Sequence, residues 1–132
     1  MSDSKPSEMR TPMAKVRHLG AARSGTKHFW HQRLSSVALI PLTIAAFVVV
    51  LGLMGRNHAA VVQILGSTAV AVGMLLFVLI GVYHMWLGMQ VIIEDYVHEE
   101  LTKIAMLMCN TFFSCAVGLT AVFAILKLSF GL

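Results

Sequence analysis

The stretch LSSVALIPLTIAAFVVVLGLMG, residues 34–55, runs from Arg33 to Arg56 without a charged side chain. Coiled as an α-helix at 1.5 Å per residue, such a run is long enough to cross about 30 Å of hydrocarbon. Two more runs share its character. Residues 57–93 hold His58, Tyr83 and His84 as their only ionisable side chains, and residues 104–126, between Lys103 and Lys127, carry no charge. A soluble helical bundle needs polar outer faces, and these runs have none. The predicted fold is therefore an all-α membrane protein with three transmembrane helices and a basic cytoplasmic N-terminal tail.

The whole chain agrees with that reading. Of its 132 residues, 58% are hydrophobic and 12% charged, far from the balance of a soluble domain. The first span is placed at about 34–54, stopped by the Gly-Arg-Asn-His sequence at 55–58. The run before Glu94 is too long for one span, and Ser67 offers an N-cap, so the second helix is placed at 67–93. The third is placed at 103–127. Residues 1–27 read as a flexible basic segment and residues 28–132 as one anchor domain, with no internal repeat and no second domain.

Seven of the ten Lys and Arg residues (Lys5, Arg10, Lys15, Arg17, Arg23, Lys27 and Arg33) precede the first span. This excess places the N-terminus in the cytoplasm and, after three spans, the C-terminus outside. The connection from Glu94 to Lys103 then faces the cytoplasm. The tail does not imply nucleic acid, because basic residues beside a span are routine in membrane proteins. Nor does it read as a signal peptide, since its first apolar run starts too late. Cys109 and Cys115 lie six positions apart in the third span, about 240° around the helix, and cannot bridge within it. They read as small packing residues. No zinc or iron–sulfur spacing, phosphate loop or dinucleotide fingerprint is present.

The stretch YHMWLGMQVIIEDYVHEE, residues 83–100, carries the chemistry. At 100° per residue, His84, Gly88, Val91 and Asp95 form one stripe, with Asp95 within about 20° of His84 and ~16 Å along the axis. Gly81 and Gly88 remove bulk on either side of the imidazole, so a helix or a flat group can approach it closely. A histidine in hydrocarbon requires a partner. Three remain open from periodicity: a hydrogen bond to another helix, an iron atom in a haem, or a proton relay. Asp95 sits where a helix C-terminus disfavours negative charge, which calls for a partner such as Arg33 or Lys103. Tyr96 lies at interfacial depth, where tyrosines also serve as anchors. Trp30 and Trp86 read as pocket walls or interface residues.

The pattern H-x-x-x-G-x-x-x-x-x-x-D-Y, formed by His84, Gly88, Asp95 and Tyr96, resembles the signature of the smaller hydrophobic membrane-anchor subunit of succinate dehydrogenase, respiratory complex II. The stretch HFWHQRLSSVALIPLT, His28–Thr43, resembles the entry to the first helix in bacterial members of that family. The resemblance covers residues 26–128. It implies that His84 is an axial ligand to the iron of haem b, whose second axial histidine comes from a partner anchor subunit. It implies that Tyr96 hydrogen-bonds a carbonyl of bound ubiquinone and that Asp95 beside it holds an arginine or supports proton delivery. By the same resemblance, Arg33 and His31 lie near the haem propionates or the quinone pocket. The implied partners are a second hydrophobic anchor subunit, an iron–sulfur subunit, a flavoprotein subunit and membrane lipid. The chain would not be an enzyme alone, since succinate oxidation belongs to the flavin subunit. Two other classes compete. One is a structural or assembly subunit of another membrane complex, with His84 only packing. The other is a small transporter, which would want an acid at the membrane midplane or a broken helix there.

Overall fold

The computed structural model describes residues 25–131, and among them every regular element is helical. Helix α1 spans Gly25–Leu53, α2 His58–Leu65, α3 Thr68–Tyr96 and α4 Glu100–Ser129. Helices α1, α3 and α4 are each long and apolar enough to cross a membrane. At 1.5 Å per residue each is about 43–45 Å long, more than the hydrocarbon alone requires, so their ends project or the helices tilt.

Three differences from the sequence expectation have a local cause. Helix α1 starts at Gly25, well before the apolar run, and carries Lys27 and Arg33 in its opening turns. Charge keeps a residue out of hydrocarbon but does not break a helix. The expected flexible segment 1–27 falls mostly outside the described residues, and Gly25, Thr26 and Lys27 are helical. Second, α2 was not anticipated. Gly55, at φ 73°, turns the chain after α1. The Asn57 side chain then accepts from the Ala60 N–H at 2.9 Å and caps a short helix. Third, Ser67 holds the N-cap position of α3, but its hydroxyl turns back to donate to the Ile64 carbonyl at 3.0 Å. Pro41 lies inside α1 and cannot donate to the Val37 carbonyl, yet the helix continues through it.

Helix α3 is the middle of the assembly. It packs against α1 on one side and α4 on the other, while α1 and α4 do not meet among the described residues. Little is enclosed as a result. The buried apolar residues are Ala46, Leu65, Ala71, Leu87 and Ile93, while Phe47, Phe112 and Phe123 are among many large apolar side chains left open. Such surfaces suit lipid or neighbouring helices rather than water.

The seam between α3 and α4 is built on small residues. Ser114 is buried, and a Cβ added at Gly118 would stand 3.4 Å from Val82 Cγ1. Ser114 and Gly118 therefore face α3, as small residues four apart do at close helix crossings. Cys109 and Cys115 are both free and line different grooves, one beside Met85 and Met89, the other beside Val82 and Trp86. Replacing Gly118 with Leu is expected to push the seam apart at a cost of about 1–3 kcal/mol. Ser114 Oγ has no hydrogen-bond partner, so Ser114→Ala should be neutral or slightly stabilising. Thermal denaturation of the detergent-solubilised complex checks both; a Gly118→Leu complex as stable as wild type would refute the close seam.

Candidate functional site

Polar side chains within the spans gather around one segment of α3, Tyr83 to Trp86. His84 points toward α1. Its Nδ1 lies 2.9 Å from Ser35 Oγ, and its Nε2 lies 3.4 Å from the Gln32 side-chain amide nitrogen. Ser35 is 6% exposed, and its hydroxyl also lies 3.0 Å from the Gln32 carbonyl one turn back in α1. The opposite oxygen of the Gln32 side chain, Oε1, is buried without a partner. Gly88, one turn beyond His84, makes room for this amide: a Cβ there would stand 3.4 Å from Gln32 Nε2.

The neighbours of His84 tie α3 to both flanking helices. His31 of α1 is hydrogen-bonded through Nδ1 to the Tyr83 hydroxyl. Trp86 donates from Nε1 to Thr111 Oγ1 of α4 at 3.1 Å, and Thr111 passes its own proton to the Leu107 carbonyl at 2.9 Å. Asn110, buried on α4, donates to the Trp86 carbonyl at 3.1 Å. The bonds that cross between helices join groups that hydrocarbon would leave unsatisfied, so they fix the rotation of one helix against the next. A groove of about 360 Å³ runs along the α1–α3 seam, lined by His31, Leu34, Ser35, Ala38, Ile80 and Tyr83.

The residues at the C-terminal end of the sequence pattern are arranged differently. Asp95 and Tyr96 end α3, roughly 18 Å along the axis from His84 to Tyr96. Both are exposed, Tyr96 to 79%. The partners expected for Asp95 are engaged elsewhere. Lys103 donates to the Glu94 backbone carbonyl at 2.8 Å, where it satisfies the open end of α3. Arg33 stacks its guanidinium 4.8 Å over the Phe29 ring of its own helix. His31 meets Tyr83, the residue before His84, rather than His84 itself. Trp30 is exposed, whereas Trp86 is an interface residue between α3 and α4.

Sequence reasoning did not single out Ser35, Gln32, Thr111 or Asn110. The available signal was the occurrence of hydroxyl and amide side chains inside apolar spans. What it lacked was the facing of α1 and α4, which lie far from His84 and Trp86 along the chain.

Comparison with known proteins is consistent with this picture. Residues 7–124 match the family model for the succinate dehydrogenase/fumarate reductase transmembrane subunit. A succinate dehydrogenase hydrophobic membrane anchor subunit of Paracoccus denitrificans is 31% identical over 92% of this chain and 93% of its own length. The succinate dehydrogenase membrane anchor subunit of Reclinomonas americana is 32% identical over 68% of this chain and 78% of its own length. The corresponding hydrophobic anchor subunit of Rickettsia bellii is 28% identical over 68% and 72%. No solved structure matches.

Proposed function

The chain belongs to the succinate dehydrogenase/fumarate reductase transmembrane subunit family, as a membrane anchor of succinate dehydrogenase with three candidate spans, and from that premise we propose that it holds haem b jointly with a partner anchor subunit and contributes to the site of ubiquinone reduction. The observation that carries the reading is His84. Its ring is gripped on one side by Ser35, while its Nε2 meets only a side-chain amide at 3.4 Å, beyond the usual hydrogen-bond range.

That arrangement fits an iron ligand. The Gln32 amide is on a flexible side chain and its Oε1 lacks a partner, so it yields its place readily. Gly88 keeps the adjacent wall low. The second ligand to that iron would come from the partner anchor subunit. Haem b, when bound, supplies a one-electron carrier inside the membrane. His84 holds it at a fixed depth and rotation, because the ring is itself anchored to α1.

Tyr96 and Asp95 supply the quinone end. Reducing a quinone consumes two electrons and two protons, so the headgroup belongs near the water interface with its tail in lipid. Tyr96 stands at that depth and presents its hydroxyl outward, where it donates to a quinone carbonyl and favours the negative charge that develops on the oxygen. Asp95, on the same helix end and free of Lys103, is placed to pass protons. Arg33 and His31 lie in the opening turns of α1 on opposite sides, Arg33 over Phe29 and His31 against Tyr83, and serve the haem propionates or the quinone pocket. The exposed apolar flanks of α1 and α4 take the second anchor subunit and lipid. An iron–sulfur subunit and a flavoprotein subunit dock on the cytoplasmic face, the side of the basic N-terminus, and leave the C-terminus in the periplasm of a bacterial inner membrane.

A reduced-minus-oxidised absorption spectrum of the purified complex tests this function. A b-type haem band at one haem per copy of this chain is expected. A complex with full subunit content and no such band would leave the chain as an anchor only.

A further inference from the structure

We propose that Ser35 is a positioning residue for the haem ligand: it holds His84 in the tautomer that carries its proton on Nδ1 and leaves the Nε2 lone pair free for iron. This rests on the reading of His84 as the axial ligand. The assignment follows from counting protons. Ser35 has one hydroxyl hydrogen and two neighbours for it, the Gln32 carbonyl at 3.0 Å and His84 Nδ1 at 2.9 Å. A carbonyl only accepts. If the hydroxyl donates to it, Nδ1 must be the donor to Ser35 Oγ, and both contacts are satisfied. If the hydroxyl donates to Nδ1 instead, the ring proton moves to Nε2. That nitrogen could then not bind iron, so the ligand reading requires the first arrangement, in which Ser35 accepts from Nδ1–H and donates to the Gln32 carbonyl. Ser36, the next hydroxyl on α1, lies 2.9 Å from the same Gln32 carbonyl and 2.8 Å from the Arg33 carbonyl. The two Ser35 contacts accommodate the tautomer that ligation requires.

The burial of Ser35 sharpens the choice. A hydroxyl 6% exposed in a membrane-spanning helix has no water to turn to, so its orientation is set by these two partners. A histidine that donates its second N–H to an oxygen is a more basic ligand and cannot rotate about its Cβ–Cγ bond. The bond to a helix carbonyl through Ser35 therefore couples the ring's orientation to α1, across the same seam that the Tyr83–His31 bond closes.

The test compares Ser35→Ala and Ser35→Thr in the intact complex, with His84→Ala alongside. Haem retention is measured by transfer to an apo-globin acceptor, and the haem potential by optical redox titration. Ser35→Ala is expected to weaken haem retention roughly 10-fold or more, as loss of such an outer contact typically does. It should also shift the midpoint potential upward, because a less basic ligand stabilises ferric iron less. Ser35→Thr keeps the hydroxyl and should restore both. Wild-type retention and potential in Ser35→Ala, with haem lost from His84→Ala, overturns the role of Ser35 alone. An unaltered haem in His84→Ala overturns the ligand reading beneath it as well.

Discussion

In the His84→Ala complex, haem b is expected to fall to a small fraction of the wild-type content while the three helices still insert and the subunits still assemble. On the proposed reading the imidazole supplies this chain's bond to the haem iron, so its removal takes that bond away outright. The remaining cost is modest. Ser35 and Gln32 lose a partner, at about 1 kcal/mol for the Ser35 bond and less for the longer Gln32 contact. The α3–α4 seam, held by Trp86, Asn110 and Thr111, is untouched. Haem per complex, read from the pyridine haemochrome spectrum against subunit content, checks the expectation. Full haem at normal subunit ratios would remove His84 from the ligand set.

Replacing Tyr96 with Phe should slow succinate-driven quinone reduction by roughly 10²-fold, the usual cost of losing one hydrogen bond to a reacting carbonyl. The fold has no stake in that hydroxyl. Tyr96 is 79% exposed at the last position of α3, and the helix end is closed by backbone and Lys103 contacts instead. Haem content and reduction of a soluble dye upstream of the membrane should match wild type. A tyrosine serving only as an interfacial anchor forecasts no change in either assay. Equal quinone rates at limiting quinone and matched complex content would exclude Tyr96 from the site.

The spans were legible because hydrocarbon imposes a condition on composition alone: three long uncharged runs admit few other folds. Their ends were less so. Lys27 and Arg33 mark where hydrocarbon stops, not where the helix does, so α1 starts earlier than its apolar run. Helix α2 was hidden inside a continuous apolar stretch, although Asn57 carried its capping signal. Within the site, the stripe of His84, Gly88 and Asp95 could be read because it lies on one helix, where 100° per residue fixes the geometry. The partners of His84 could not, because Ser35 and Gln32 sit on α1 and no local rule sets how α1 is rotated against α3. The same limit explains Asp95. Lys103 is close in sequence, but the unsatisfied carbonyl of Glu94 at the end of α3 takes its ammonium.

Near-infrared magnetic circular dichroism of the oxidised complex reads the proposed axial ligation by His84 directly. The wild-type complex should show a low-spin haem with two histidine ligands. In His84→Met that signature should give way to histidine–methionine ligation or vanish with the haem. An unchanged bis-histidine spectrum in His84→Met, at one haem per complex, would contradict that ligation.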